Sequence, residues 1–327
     1  MSKKNDFIIG IDLGGTKILF VLFDSSFRIK ARFKTKTKID DGRKTFFDAL
    51  HGGIRTVLQD ARVKSSDLGA IGIGTPGIIH PEDGKILVCP NIPFLKGVSL
   101  SSEIGKVWRV PAIVENDVNA GLYGEYHFGS AKGHRNVVGI FMGTGIGGGL
   151  IINGQLYRGS SGAAGEIGHT RLDSIGHMYG CGQKGCLEAF AGRLAIASEA
   201  AAISAKQQAP SLFKEAGADL LEMKSSVLKR SIESGDVEIE KLLKDKARLV
   251  GWVVSNVANL LNPDLFVLGG GVVEALPKLI IHEVIEVLHR QALKPIAKAA
   301  RVVTAKLGDD AIVMGAAKLA SEEMRGL

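Results

Sequence analysis

The stretch "IGIDLGGTKILFVLFD", Ile9 to Asp24, sets two apolar runs on either side of Asp12, Gly14, Gly15, Thr16 and Lys17. Its loop is short and returns to a strand, not to a helix. That argues against a Walker loop and a Rossmann fingerprint, which both need strand, glycine loop, then helix. A Gly-Gly-Thr hairpin tip still offers backbone N–H groups and a hydroxyl to phosphates. Asp12, closing the first strand, is placed to hold magnesium through water. A plain hairpin turn uses the same letters, and the loop alone leaves both readings open.

A second loop tips the balance. "GIFMGTGIGGGLIINGQ", Gly139 to Gln155, repeats the design as strand, Gly143-Thr144-Gly145, glycines, strand. Two such tips, one per domain, are expected to face each other across a cleft and pinch a phosphate chain. A third cluster, "LGGGVVEA", follows an apolar run, and Gly269, Gly270 and Gly271 would let adenine or ribose lie against the backbone.

Apolar runs and helical spacings alternate along the first half and restart near Asn136. "KTFFDALHGGIRTVLQDARV" carries helical spacing, and the region from Leu187 to Val254 is rich in Ala, Leu, Lys and Glu. "LFVLGGG" and "RVVTAKL" return to strands. A closing helix over "AIVMGAAKLASEEM" is expected to be capped by Asp309 or Asp310. The pattern predicts two α/β domains: residues 1–118 with the closing helix 311–327, and a larger one over 119–310.

With 327 residues, 45% hydrophobic and 23% charged, the chain suits one large or two medium cores. No run of about 18 uncharged apolar residues suggests a membrane span. The start lacks a signal-peptide core, and three cysteines do not form a secreted disulfide framework. A cytoplasmic protein without a membrane partner is expected. The net charge of +7 raises the question of nucleic acid. Its densest run, "RIKARFKTKTK" from Arg28 to Lys38, alternates like an edge strand with one wet, positive face. A mild attraction for an anion such as ATP follows. Nucleic acid is not expected, because no helix-turn-helix fits before Phe7.

Phosphoryl transfer to a hydroxyl needs an aligned acceptor, a carboxylate for its proton, and cations for the phosphates. "AIVENDVNAG" ends an apolar run in Glu115, Asn116 and Asp117, a suitable place at a cleft mouth. Asn-Asp also reads as the cap of a helix starting at Val118. Further on, "GEIGH" spaces Glu166 and His169 so that one helical turn presents both on one face.

"DLGGTK", "ENDVNAGLYGE", "GTGIGGGL", "GEIGH" and "CGQKGCLEA" stand in this order over residues 7 to 320. The set resembles the sugar kinase, hexokinase and actin-like ATPase superfamily, and within it the ROK family of repressors, open reading frames and sugar kinases. The resemblance implies a two-domain actin-like (ribonuclease H-like) fold with an interdomain cleft, closing on substrate. It implies Asp117 as general base. It puts Asn116, Glu166, His169 and Glu188 on a hexose, with Asn91 of "CPNIP" closing the far side.

The family's Cys-x-Cys-Gly-x-x-Gly-Cys pattern, completed by the Gly-His histidine, holds a structural zinc. Here His169, Cys181 and Cys186 are kept, but Tyr179 stands at the first cysteine position. His177 or a water is then the fourth ligand. Such a zinc would fix the loop that carries Glu188 and orient the His169 ring. A redox pair is the poorer reading, since four residues separate the cysteines.

The resemblance implies an ATP- and magnesium-dependent hexose kinase, foremost a glucokinase, assembled as homodimer or homotetramer. An N-acetylglucosamine or N-acetylmannosamine kinase is the near alternative. A sugar-sensing regulator without a DNA-binding module is the alternative of another class. An actin-like polymerising or chaperone ATPase would give no reason for Glu166, His169 and Glu188.

Overall fold

The computed structural model describes residues 7–39, 41–81, 83–173 and 182–326. The chain forms two compact units, Met1–Gly133 with Leu156–Ala164 and Asp309–Leu327, and His134–Gln155 with Gly165–Gly308.

The first unit holds β1 (Phe7–Leu13), β2 (Lys17–Asp24), β3 (Ile29–Lys36), β4 (Leu68–Thr75), the short β5 (Ile78–Ile79) and β6 (Ile86–Val88), and β7 (Ala112–Asn116). Its helices are α1 (Gly42–Asp60), α2 (Leu100–Trp108), α3 (Asp117–Phe128) and α12 (Ala311–Met324). The main sheet runs β3-β2-β1-β4-β7, an antiparallel meander continued by two parallel strands. Successive strand side chains point to opposite faces. Ile9, Ile11 and Leu13 therefore share a core with Phe46, Leu50 and Ile54 of α1. Ile8, Val21 and Ala70 pack on the other face with Val313 and Ala317 of α12. β3 is the edge strand, and its Arg32 pairs with Asp310 at 2.6 Å. Asp310 precedes α12 but makes no side-chain cap, its carboxylate being turned to that guanidinium.

The first unit does not end at residue 118, as the sequence suggested. α3 lies along α12, where Ala120 and Ala311 approach the glycines Gly315 and Gly124, so the chain stays in this unit through Gly133. It also returns for Leu156–Ala164.

The second unit repeats the scheme. β8 (Val137–Met142) and β9 (Ile146–Ile152) form a hairpin, extended by β10 (Gln155–Leu156) on one side and by parallel β11 (Leu265–Gly269) and β12 (Arg301–Thr304) on the other. Its helices are α4 (Leu187–Ala191), α5 (Arg193–Ala205), α6 (Pro210–Ala216), α7 (Ser225–Glu233), α8 (Val237–Leu261), α9 (Gly271–Ala275), α10 (Pro277–Gln291) and α11 (Lys294–Ala299). β11 is buried on both faces, as a parallel central strand should be. Among the described residues, no helix is long and apolar enough to cross a membrane.

Candidate active site

In the first unit the strand alternation sends Asp12 to the α12 face, with Ile8 and Gly10. A Cβ on Gly10 would lie 2.0 Å from the Val313 carbonyl oxygen, so glycine there lets α12 sit against β1. Asp12 is half-buried, and burial pushes its carboxyl up to about 7. The negative charge of Asp117 raises it further and Asp309 adds to this, while Lys17 and Lys34 oppose. Two carboxylates thus gather where two strands end.

Asp117 is the first residue of α3, one earlier than the sequence suggested, and Asn116 is its N-cap. The Asn116 Oδ1 accepts from the Val118 and Asn119 amides at 2.9 and 3.1 Å, and its Nδ2 donates to the Gly77 carbonyl at 2.9 Å. The cap is real, and it leaves one amide N–H of Asn116 for a ligand. Asp117 Oδ1 accepts from the Val118 amide at 2.9 Å.

Glu115, read in the sequence only as part of the run that ends in Asn116 and Asp117, has a role of its own in the structure. Its buried carboxylate accepts from the Asn116 amide and Asn119 Nδ2, both at 3.0 Å, and from Arg158 Nε at 2.6 Å. It fixes the end of β7, the start of α3 and the segment Leu156–Ala164 together. A carboxylate closing an apolar run was the available signal; nothing in the sequence marks Arg158 as its partner.

The first glycine loop is a hairpin tip, with the Gly14 amide donating to the Lys17 carbonyl at 3.1 Å. Thr37 braces it, its hydroxyl donating to the Gly14 carbonyl at 2.7 Å. Thr16 and Lys17 are exposed at the tip. A Cβ on Gly15 would lie 3.1 Å from Asn91 Cβ, so Asn91 stands beside this loop.

In the second unit Glu166 leads into a 3₁₀ turn, Ile167–His169. Three residues per turn bring positions i and i+3 into line, and the Glu166 carboxylate lies 3.7 Å from His169 Nε2. Both side chains are exposed. The turn sits directly on β9, where a Cβ on Gly168 would come within 2.0 Å of the Ile146 carbonyl oxygen.

Glu188 is the second residue of α4, not part of the preceding loop. Its Oε2 accepts from the Ile146 amide at 2.6 Å. A Cβ on Gly145 would lie 1.8 Å from that oxygen. Gly145 is therefore required by Glu188, where the sequence reading gave it only a phosphate to admit. Thr144 is exposed at the tip.

The glycines of the third cluster differ in their surroundings. A Cβ on Gly269 would meet the Phe141 ring at 2.6 Å, and Gly270, at φ +86°, would meet the Met142 carbonyl at 2.5 Å. These two serve strand packing. Gly271 alone has open space, its nearest neighbour being Ser225 Oγ at 3.9 Å.

Of the expected zinc ligands, Cys181, with Tyr179 and His177, lies outside the described residues. His169 and Cys186 are carried on adjoining backbone. Arg171 bridges to Cys186, and the Leu187 amide donates to the Thr170 carbonyl at 2.9 Å. Cys186 is buried. Imidazole and thiolate are both zinc ligand types, but what the structure shows is the two segments joined through their backbones. Magnesium fits the first unit differently. Among the described residues no three carboxylate, histidine or cysteine groups form a cage. When ionised, Asp12 would offer a phosphate-bound magnesium one carboxylate, the usual protein share of such a site.

The ROK family pattern matches residues 8–323. A glucokinase of Streptomyces coelicolor is 33% identical over 323 residues, 96% of this chain and 97% of that protein. A xylose repressor of Caldicellulosiruptor bescii is 27% identical, covering 99% of this chain and 80% of its own. Among solved structures, a ROK family glucokinase from Streptomyces griseus, in complex with glucose and AMPPNP, superposes with a TM-score of 0.83 at 31% identity, covering 97% of this chain and 99% of that one. The fold is the α/β actin-like ATPase fold expected from the motifs, and the chain belongs to the ROK family.

Proposed function

We propose that the protein is an ATP-dependent hexose kinase, foremost a glucokinase, which transfers the γ-phosphoryl group of ATP to the C6 hydroxyl of D-glucose. The observation that carries this reading is the placing of Asp12 and Asp117 at the same end of one sheet, on β1 and just after β7 with β4 between them, where burial and then the charge of Asp117 raise Asp12 to about 7. Such a pair suits one carboxylate that receives a proton and one that faces a cation. Asp117 accepts the proton of the sugar hydroxyl as the P–O bond forms. Asn116 orients the sugar with its remaining N–H, and Asn91 adds a contact beside the first glycine loop. Glu166, His169 and Glu188 receive the other hydroxyls, which suit paired carboxylate oxygens. The Gly14–Lys17 and Thr144–Gly145 tips hold phosphates, and Gly271 admits the nucleoside. Magnesium, when bound with ATP, neutralises charge on the β- and γ-phosphates, with Asp12 as its protein partner.

A structural zinc would be held by His169, Cys181 and Cys186, with His177 or water as fourth ligand. ATP as donor fits a cytoplasmic location, and a homodimer or homotetramer belongs to the same reading. N-acetylglucosamine and N-acetylmannosamine present most of the same hydroxyls and form the near alternative. The xylose repressor similarity favours a second reading, a sugar sensor that binds without transfer. One coupled ADP-release assay over hexoses and N-acetylhexosamines tests all three. Glucose-dependent ADP release, lost in Asp117→Ala, is expected. Sugar binding with no ADP release from any substrate would turn the reading to the sensor.

A further inference from the structure

We infer that Arg193 is a catalytic residue that binds the terminal phosphate of ATP at the second glycine loop. The inference rests on the kinase reading above and adds to it a cation supplied by the second unit.

Two side chains from the α4–α5 corner bracket the tip Gly143-Thr144-Gly145. On one side Glu188 takes the Ile146 amide and fills the space at Gly145. On the other, Arg193, the first residue of α5, reaches Thr144, its Nη2 lying 3.4 Å from the hydroxyl oxygen. Its own amide donates to the Gly143 carbonyl at 3.3 Å. The corner is seated closely, since a Cβ on Gly192 would lie 3.5 Å from Gly145 Cα. Backbone and side chain of Arg193 are thus both fixed to this loop.

Arg193 is half-buried, is held at a glycine loop, and makes no ion pair among the described residues. One long contact to a neutral hydroxyl leaves most of its five donors unused. A guanidinium held half out of water without a counter-ion is poised for an anion, and its planar fork fits two oxygens of a phosphate. The loop beside it has no positive charge of its own: Gly143, Thr144 and Gly145 offer only amides and a hydroxyl. In phosphoryl transfer, charge builds on the equatorial oxygens of the transferring group, and a positioned guanidinium stabilises it. Arg193 keeps its charge throughout; the proton goes to Asp117 and the electron pair of the breaking P–O bond leaves with ADP.

The test compares wild type, Arg193→Lys and Arg193→Met. Calorimetry with magnesium and either AMPPNP or ADP is expected to show AMPPNP binding weakened about tenfold in Arg193→Met, with ADP changed less than twofold. The lysine variant should fall between. In steady state, kcat/KM for ATP should drop about 10²–10³-fold in Arg193→Met, while direct glucose binding stays within twofold. Equal weakening of AMPPNP and ADP would mean that Arg193 only props the loop, and would overturn the inference. Unchanged AMPPNP affinity and kcat would also overturn it. Should wild type bind ATP yet phosphorylate no hexose, the kinase reading fails, and the AMPPNP-to-ADP comparison still decides the place of Arg193.

Discussion

Replacing Asp12 with asparagine should stabilise the nucleotide-free protein at alkaline pH. In the folded chain the Asp12 carboxyl is raised from its ordinary 3.8 to about 7, chiefly by burial and next by Asp117. The folded state therefore holds the proton more tightly than the unfolded state does. Stability from this group is complete below about pH 4 and is lost as pH rises through 7. At about 1.4 kcal/mol per pH unit, the displacement costs the ionised folded protein at most about 4 kcal/mol. A quarter of that, about 1 kcal/mol, already moves the melting temperature by roughly 2–4 °C for units of 150–250 residues. Asparagine keeps the shape and has no charge to desolvate, so Asp12→Asn should melt higher than wild type at pH 8–9 and converge with it near pH 5. The assay is thermal denaturation in EDTA from pH 5 to 9. Magnesium and ATP should reverse the order at pH 8, because a cation near Asp12 offsets the repulsion from Asp117, and activity should be nearly lost in the variant. Parallel pH curves, or an Asp12→Asn protein less stable than wild type at pH 9, would refute the reasoning.

Asp117→Ala should lose about 10²–10⁴-fold in kcat while still folding and binding sugar, since Asn116 continues to cap α3; activity within threefold of wild type removes Asp117 from the role. Gly145→Val should weaken sugar as well as ATP, because the new side chain meets the Glu188 carboxylate first; calorimetry with intact sugar affinity counts against that placement. Metal analysis of protein purified without chelator should find one zinc per chain, lost more readily as pH falls, and Tyr179→Cys should slow its loss to a chelator. A metal-free result would leave the His169 and Cys186 segments held by their backbone pairing alone.

Much of this was legible because strands and turns are local. The alternation in Phe7–Leu13 fixed which residues share the face of Asp12, and glycine between two apolar runs fixed both hairpins. The i, i+3 spacing put Glu166 and His169 together, since one 3₁₀ turn brings them into line. The domain boundary was misplaced because a helix shows its apolar face without showing what it packs against. α3 reads as the start of something new, yet it lies on α12, nearly 200 residues later.

The glycines show the same limit at the site itself. A glycine in sequence announces that a side chain is not tolerated, but not what would be struck. At Gly269 and Gly270 it is the neighbouring strand, Phe141 and Met142 of β8. At Gly145 it is the carboxylate of Glu188, 43 residues away, which is held by the adjoining Ile146 amide. That contact changes what the motifs mean in combination. "GTGIGGGL" and "CGQKGCLEA" read as a phosphate loop and a sugar-binding segment with separate tasks. In the second unit they share one hydrogen bond. A hydroxyl that shifted this carboxylate would shift the Ile146 amide with it. The position of the Glu188 carboxylate and the shape of the glycine loop are therefore mechanically one variable, coupled by a 2.6 Å contact.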